Sequence, residues 1–321
     1  MLRLLRSHQS RCRHTASRIA RLAAVLLVSA AAVGLLASCD APAPAPVFDG
    51  ETALRRVRTQ LDFGMRIPNT PAHVTTGDWI LAELRRHADT VIVQQFTHVT
   101  DKGDTLRLRN FIARFKPREA SRVLYLTHWD SRPTADSAPD SAQRLLPTPG
   151  ANDGASGVAL LIGIAEALRQ LPPSVGVDLL FVDGEDYGSF DAPAHDVLLG
   201  SRHFAKHPPE PGYAPIFGVL FDMIGDKDLQ IFQEGNSAQR APEVVARVWD
   251  KARELGLSDT FVPQGKWTVT DDHIPLLDAG MRVIDVIDLD YPHHHMPTDT
   301  PDKVSAESLR KVGILALALV R

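Results

Sequence analysis

Hydrophobic and polar residues alternate along 48–321 with two different periods. Apolar residues that recur every three or four positions predict amphipathic helices, and such segments lie at 51–64, 75–88, 154–171, 198–207, 241–256 and 305–320. Alternation at every second position, with many β-branched residues, predicts a hairpin of two strands, at 90–100 and 106–116. Short, largely apolar runs predict further strands, and these lie at 122–130, 175–186, 216–225, 229–235 and 281–290.

The alternation of strands with helices defines the fold class. It predicts an α/β protein with a mixed, mostly parallel central sheet and helices on both faces. The early hairpin is expected to add antiparallel strands at one edge of that sheet. A chain of 321 residues, 44% of them hydrophobic, is long enough for one large core. Because no internal repeat or second linker interrupts it, 48–321 is interpreted as a single domain.

The charge of the chain is unevenly distributed. Residues 1–38 contain six arginines and no acidic residue, although the whole chain has 35 Lys and Arg against 39 Asp and Glu. The remainder therefore has 35 − 6 = 29 basic residues against 39 acidic ones, a charge of −10. Nucleic-acid-binding domains usually have the opposite sign, so no nucleic-acid partner is expected.

The first 47 residues predict export rather than a folded unit. Residues 22–37 form an apolar run, which is shorter than the ~20 residues of a membrane-spanning helix. With its basic start, 1–38 is typical of a secretory signal peptide. The end of the run, "LASC", resembles a bacterial lipobox, which implies lipidation of Cys39. The segment "APAPAP" that follows is typical of an extended spacer, so 39–47 is interpreted as a Pro/Ala-rich linker. A plain signal peptide and a single anchor helix are the alternatives.

This interpretation predicts the location of the protein. We expect it in the bacterial cell envelope, on the periplasmic side, with the lipid at Cys39 as its only contact with the membrane. Cys12, the other cysteine, lies inside the signal, so no disulfide is expected in the mature chain. We further expect a monomer.

Ionisable residues follow each of the short apolar strands. In open sheets, ligands bind beyond the carboxyl ends of the strands. The residues at these positions are His128, Asp130, Asp183, Glu185, Asp186, Asp222, Asp290 and the histidines at 293–295, while Asp153 lies in a glycine-rich turn before a helix. Acids gathered at one edge repel each other, and Arg132 is the one nearby cation in the sequence. A divalent metal would relieve the repulsion, and carboxylates with imidazole but without thiolate favour zinc.

Each of these residues also has a purely structural interpretation. Asp153 could cap the helix that follows it. His128 could be a core histidine with satisfied hydrogen bonds. Glu185 and Asp186 could form an exposed turn, and 293–295 could be a solvated loop.

Five motifs, in chain order, resemble peptidase family M28, the zinc aminopeptidase-like superfamily. They are "THWD", "GANDGASG", "GEDYG", "FDMIG" and "HHHMPTDT". Two more, "LGSRHFAKH" and "VTDDHIPLLDAG", are similar to the glutaminyl-peptide cyclotransferases of that superfamily. The resemblance implies the phosphorylase/hydrolase-like fold of zinc exopeptidases, with 48–321 as the catalytic domain. It also implies an acyltransferase that converts the N-terminal glutamine of peptides to pyroglutamate.

The resemblance assigns roles to particular residues. One zinc ion would be held by Asp153, Asp186 and His295, with Glu185 as the general acid and base. Two further acids would form the hydrogen-bond network of the cyclases, namely Asp222 and Asp271. His294 stands where animal cyclases have a tryptophan, and a second departure is Asp186 in place of glutamate. For the aromatic wall of the substrate pocket, the candidates are Trp267 and Trp129.

Two other functions stay open from the sequence. A dizinc aminopeptidase would use His128, Asp153 and Asp186 for one ion and Asp153, Asp222 and His295 for the other. An inactive, lipid-anchored binding protein is the third possibility. In both enzymatic alternatives the partners are the N-termini of peptides or proteins.

Overall fold

A computed structural model of the protein describes residues 47–191 and 193–321. The signal peptide, Cys39 and all but the last residue of the linker lie outside the described residues, so those interpretations stay predictions. Within the described part of the chain, each helix is too short or too polar to cross a membrane.

The central sheet has six strands in the order β1-β2-β4-β3-β5-β8. Strands β1 and β2 form an antiparallel hairpin at one edge, and β2 is antiparallel to β4. The other neighbours, β4 with β3, β3 with β5 and β5 with β8, are parallel. The predicted mixed sheet with its edge hairpin is therefore confirmed. The strands are β1 (Thr90–Val99), β2 (Thr105–Phe115), β3 (Arg122–His128), β4 (Gly176–Val182), β5 (Phe217–Asp222) and β8 (Val283–Ile287).

A second sheet of two strands packs beside β8 of the central sheet. The strand predicted at 229–235 is β6 (Ile231–Gln233), and it pairs in parallel with β7 (Phe261–Gly265). The sequence pattern did not predict β7, because only Phe261 is buried, Val262 is half-buried and the last three residues are exposed.

Six of the eight α-helices in the described residues follow the predicted order with shifted ends, whereas the six-residue helices Gly235–Arg240 and His273–Asp278 were not predicted. The eight helices are α1 (Gly50–Asp62), α2 (Pro71–His87), α3 (Ala155–Gln170), α4 (Leu199–Lys206), α5 (Gly235–Arg240), α6 (Pro242–Glu254), α7 (His273–Asp278) and α8 (Ala306–Ala318). The prediction that the second helix starts at 75 was wrong by one turn. The Thr70 side chain accepts a hydrogen bond from the His73 N–H, and Pro71 occupies the first helical position, a favoured helix start.

Alternate residues of the central strands pack on opposite faces of the sheet. Val123 and Tyr125 belong to the core cluster formed with α1, α3 and α8. Leu124 and Leu126 belong to a second cluster that contains Phe204 of α4. Since the side-chain period of a strand is two residues, both faces of β3 are buried, and the predicted helices on both faces are confirmed.

Candidate active site

The carboxyl ends of three parallel strands bring distant segments together. His128 is the last residue of β3, and Asp222 is the last residue of β5. Glu185 and Asp186 follow β4 after a short turn. Because β3 lies between β4 and β5, the three segments meet at one edge of the sheet. We call the six predicted residues at this edge the acidic rim, and they are His128, Asp153, Glu185, Asp186, Asp222 and Asp271.

Asp153 reaches the acidic rim from the glycine-rich turn before α3. The helix begins after Gly154 without a side-chain cap, so the carboxylate of Asp153 does not serve as a helix cap. Gly154 has a φ of +85°, and a Cβ at this position would lie 2.8 Å from the Asp130 carbonyl oxygen. The buried guanidinium of Arg66 holds the turn by donating to the carbonyl oxygens of Gly150 (2.7 Å) and Asp153 (3.2 Å).

Two acids that the sequence analysis assigned no role fix the backbone of the rim. Asp130 accepts hydrogen bonds from the N–H groups of Glu185 and Asp186, both at 3.1 Å. Asp299 accepts from the N–H of Asp153, also at 3.1 Å. Asp130 directly follows "THW", so its place at a strand end was a signal of its proximity. Its hydrogen bonds to the backbone of Glu185 and Asp186 could be seen only in the structure.

His128 lies at the centre of the acidic rim. Its Nε2 atom is 3.0 Å from Asp153 Oδ1 and 3.3 Å from Asp222 Oδ1, and Nδ1 is 3.7 Å from Glu185 Oε2. These contacts lack hydrogen-bond geometry, so both ring nitrogens are buried without a partner. Burial lowers the pKa of His128, but the carboxylates of Asp130, Asp153 and Asp222 together raise it well above its usual value. His128 is thus buried but not a satisfied core histidine.

His295 reaches the rim from the loop after β8. Its Nε2 is 3.3 Å from Asp186 Oδ1 and 3.9 Å from Asp153 Oδ2, while its Nδ1 is 3.0 Å from Asp136 Oδ1. Burial lowers the pKa of His295, yet Asp186 and Asp136 raise it to about 10. Arg132 donates to the carboxylates of both Asp186 and Asp136. The loop at 293–295 is therefore only partly solvated.

The donor atoms around Asp153 fit a divalent metal ion. Donors of a tetrahedral zinc site lie about 3.3 Å apart, which matches the 3.3 Å between His295 Nε2 and Asp186 Oδ1, while Asp153 Oδ2 lies farther from Nε2, at 3.9 Å. Asp153 Oδ2 and Asp186 Oδ2 are buried and have no hydrogen-bond partner. Donor atoms of Asp153, His294 and His295 lie within 4.8 Å of one another. Asp186 belongs to no such group among the described residues, and its Oδ1 accepts from Arg132.

A second group of donor atoms shares Asp153. His128, Asp153 and Asp222 also have donor atoms within 4.8 Å of one another, and all three are buried. Asp153 therefore has one oxygen beside His128 and the other beside His295. Such a carboxylate between two groups of donors is compatible with one or two ions.

Glu185 is a buried carboxyl group that lines a cavity beside the acidic rim. Burial raises the pKa of Glu185 well above its usual value, and the charges of Asp186 and Asp271 add to this against the opposing effect of His128. Burial and the charge of Asp222 raise the pKa of Asp271 to about 7. Glu185 and Asp186 are 6% and 1% exposed, so they do not form an exposed turn.

A cavity of about 300 Å³ adjoins these groups. Its lining includes Glu185, Asp222, Asp271, His294, His295 and Phe190. Trp267 is 41% exposed and lies outside the lining, although the next residue, Thr268, is part of it. Trp129 is fully buried and stacks on His73 at 4.3 Å. The aromatic side chain beside the cavity is that of Phe190, which the sequence analysis missed because it lies in a loop without a motif.

Comparison with known proteins identifies the family. The model of peptidase family M28 matches residues 110–320. A mouse glutaminyl-peptide cyclotransferase-like protein is 29% identical over 254 residues, which are 71% of this chain and 64% of the mouse protein. The chain thus spans less than two thirds of that relative.

Two solved structures share the fold over nearly their whole length. A Zn-dependent exopeptidase from Parabacteroides distasonis is 34% identical with a TM-score of 0.83, and the match covers 86% of this chain and 99% of that one. Glutaminyl cyclase from Bacteroides thetaiotaomicron, bound to N-acetylhistamine, is 35% identical with a TM-score of 0.83, over 86% and 98% of the two chains. The chain belongs to peptidase family M28.

Proposed function

We propose that the protein is a zinc-dependent glutaminyl-peptide cyclotransferase. The observation that carries the proposal is a buried Glu185 with a raised pKa, next to Asp271 and Asp222 in a cavity of about 300 Å³. The similarity to solved glutaminyl cyclases supports it. A cavity at the small end of the range for ligand pockets suits a single terminal residue rather than a longer peptide segment.

The reaction needs a group that both accepts and donates a proton. The α-amine of an N-terminal glutamine attacks its own γ-carboxamide carbon, a C–N bond forms, and the bond to the departing ammonia breaks. Glu185 would accept the proton from the amine and deliver it to the leaving nitrogen. A carboxyl with a raised pKa suits both steps near neutral pH.

The other residues would position the reacting groups. Asp153, Asp186 and His295 would hold one zinc ion, which supplies Lewis-acid polarisation of the amide carbonyl when it is bound. Asp271 and Asp222, which line the same cavity, would orient Glu185 and the amine. Phe190 and His294 would close the cavity against water. The role of Trp267 in substrate binding stays a prediction.

A dizinc aminopeptidase is the second candidate. The observation in its favour is that His128, Asp153 and Asp222 form a second group of donor atoms within 4.8 Å. The similarity to a Zn-dependent exopeptidase also supports it. In that case Asp153 would bridge two ions, and Glu185 would activate a water molecule instead of an amine.

One assay separates these functions. Purified protein is offered a peptide with N-terminal glutamine and, separately, a leucyl-anilide, with and without a chelator. We expect ammonia release and a pyroglutamyl product from the first substrate, loss of both with the chelator, and recovery with added zinc. Release of leucine without pyroglutamate would favour the aminopeptidase. No turnover of either substrate would favour the inactive binding protein.

Export and lipidation are a separate proposal, supported by 1–47 alone. We expect the expressed chain to incorporate labelled fatty acid and to enter the detergent phase on phase separation. Cys39→Ser should abolish both, whereas Cys12→Ser, in the segment to be removed, should change neither in the mature protein. Labelling that survives Cys39→Ser would contradict the proposed anchor.

A further inference from the structure

A second group of imidazoles and carboxylates lies outside the acidic rim. It surrounds a surface cavity of about 610 Å³ between the β1–β2 hairpin and the segment that leads into α4. The ionisable residues of its lining are His98, Asp101, His195, Asp196, Arg202, His203, Lys206 and His207. These residues are separate from the lining of the candidate active-site cavity.

Three of these side chains converge. Asp101, His195 and Asp196 each offer a donor atom, and the three atoms lie within 4.8 Å of one another. Asp101 comes from the turn between β1 and β2, whereas the other two come from the loop between β4 and α4. Two segments far apart in the sequence thus present donors to one point.

Neighbouring groups orient the imidazole of His195. Its Nδ1 lies 3.3 Å from the carbonyl oxygen of Pro193. A ring that donates from Nδ1 to a carbonyl keeps a lone pair on Nε2, the usual arrangement of a metal-binding histidine. The backbone N–H and carbonyl of His195 are each hydrogen-bonded to Ser189 at 3.0 Å, so the main chain that carries this exposed imidazole is held in place.

Asp196 is held in the same way. Its Oδ1 is 2.6 Å from His98 Nε2, and its Oδ2 accepts a hydrogen bond from the Asp101 N–H at 3.1 Å. Its side chain is only 7% exposed, and its φ of +56° is uncommon for a residue with a side chain. Each carboxylate oxygen keeps a further lone pair for a cation, so these bonds orient the carboxylate without exhausting it.

We infer that Asp101, His195 and Asp196 form a second binding site for a divalent transition-metal ion, with zinc as the best fit. Calcium and magnesium prefer oxygen donors alone, whereas imidazole with carboxylate favours zinc. The ion would tie the β1–β2 turn to the loop that also carries Phe190, which lines the candidate active-site cavity. Its role would therefore be to brace that loop, separate from the chemistry.

Zinc content and zinc titration of the full chain test the inference. We expect wild-type protein to bind one zinc more than His195→Gln or Asp101→Asn, as measured by calorimetry and by metal analysis after dialysis. The matched control is His207→Gln, since His207 lines the same cavity but is not one of the three donors, and it should retain the extra equivalent. The wild-type Tm should rise with added zinc, and the part of this rise due to the second site should be absent in both donor variants.

Two further measurements make the test independent of the active site. His128→Gln removes a donor from the acidic rim and should leave the equivalent at His195 in place, even if the rim binds two ions. Arg202 and Lys206 make an anion the competing occupant, so inorganic phosphate is titrated in parallel. Equal zinc content in the wild type, His195→Gln and Asp101→Asn, zinc binding of about 1 mM or weaker at this site, or phosphate binding that replaces zinc binding would overturn the inference.

Discussion

Strand β4 and the loop after it carry buried acids with opposite surroundings. Near its start, Asp178 is fully buried and accepts hydrogen bonds from Arg122 Nε at 2.7 Å, Arg114 Nε at 3.1 Å and the Tyr213 hydroxyl at 2.8 Å. After its end, the acid Asp186 is equally buried but has an oxygen without any partner. Both acids lie beside guanidinium groups, so burial next to a cation is common to the two regions.

The difference lies in the balance of charge. Around Asp178, two arginines surround a single buried acid, and its oxygens are saturated. At the acidic rim, five carboxylates lie among the imidazoles of His128 and His295 and the guanidinium of Arg132, while Arg66 donates to the Asp153 carbonyl oxygen and to no carboxylate of the rim. Buried atoms without a hydrogen-bond partner remain on Asp153, Asp186 and His128. Buried charge whose hydrogen-bond partners all come from the protein needs no ligand, whereas an excess of one sign with unpartnered donor atoms indicates a ligand of the opposite sign.

The largest predicted effect separates chemistry from metal binding at the rim. Glu185→Gln should lower the kcat of pyroglutamate formation by about 10²- to 10⁴-fold, the usual contribution of a general acid and base. Zinc content should not change, because Asp153, Asp186 and His295 are intact. Ammonia release and metal analysis measure the two quantities, with the exposed Glu119→Gln as the control. Turnover that survives the Glu185 substitution would show that this carboxyl does not transfer the proton.

The balanced region should respond in the opposite way. Asp178→Asn leaves two buried guanidinium groups with one acceptor oxygen, and we expect a loss of roughly 3–5 kcal/mol in the free energy of unfolding. Zinc binding should be retained in the folded fraction, and urea unfolding measures the loss. Glu210→Gln is the matched control, because Glu210 contacts the same Arg114 at 3.0 Å but is 49% exposed, where ion pairs contribute about 1 kcal/mol or less. If the two variants lost the same free energy of unfolding, the full set of hydrogen bonds to the buried Asp178 carboxylate would not matter for stability.

Sequence periodicity predicted the central sheet and the location of the site. Strands such as 122–130 have apolar residues on both faces, and the ends of parallel strands must coincide at one edge. His128 and Asp222 could therefore be placed together before any coordinates were known. The convergence of Asp153 and Glu185 followed from the same rule, since both lie in turns at that edge.

What the sequence could not show depends on contacts between distant segments. Arg66 binds the turn at Gly150 from a loop with no periodic pattern, and Phe190 faces the cavity from another. Asp136 contacts His295 across about half of the chain. The partners of Asp178 depend on strand register, because Arg114 and Arg122 belong to two other strands. A single sequence does not reveal such pairs, since neither residue of a pair belongs to a local motif or periodic pattern that points to its partner.

A substitution at Asp136 tests whether a residue that is not a predicted metal ligand affects the zinc affinity of the rim through its contact with His295. Its carboxylate is 3.0 Å from His295 Nδ1 and also accepts from Arg132. Removing such a partner usually lowers metal affinity by about 10- to 100-fold, so we expect a drop of that size for Asp136→Asn in a zinc competition titration. Asp140→Asn, a nearby exposed acid that caps a turn, should have no effect. Unchanged affinity in the Asp136 variant would show that His295 needs no such orientation.

The smallest predicted effect is a pH slope in the chelated protein. The folded state raises the pKa of Asp271 from 3.8 to about 7, so between these values the folded protein holds a proton that the unfolded chain has lost. The contribution of Asp271 to the free energy of unfolding is then fully present below about pH 4 and is lost as the pH rises through about 7, by at most ~1.4 kcal/mol per pH unit for one proton.

Asp271→Asn should reduce this slope without abolishing it, because burial also raises the pKa of Glu185, Asp272 and Asp285. Urea unfolding at several pH values, with and without zinc, measures the slope, and the control Glu210→Gln should leave it unchanged. If Asp271→Asn has the slope of the wild type, the excess negative charge of the rim is relieved within the chain itself, and the contrast with Asp178 loses its physical basis.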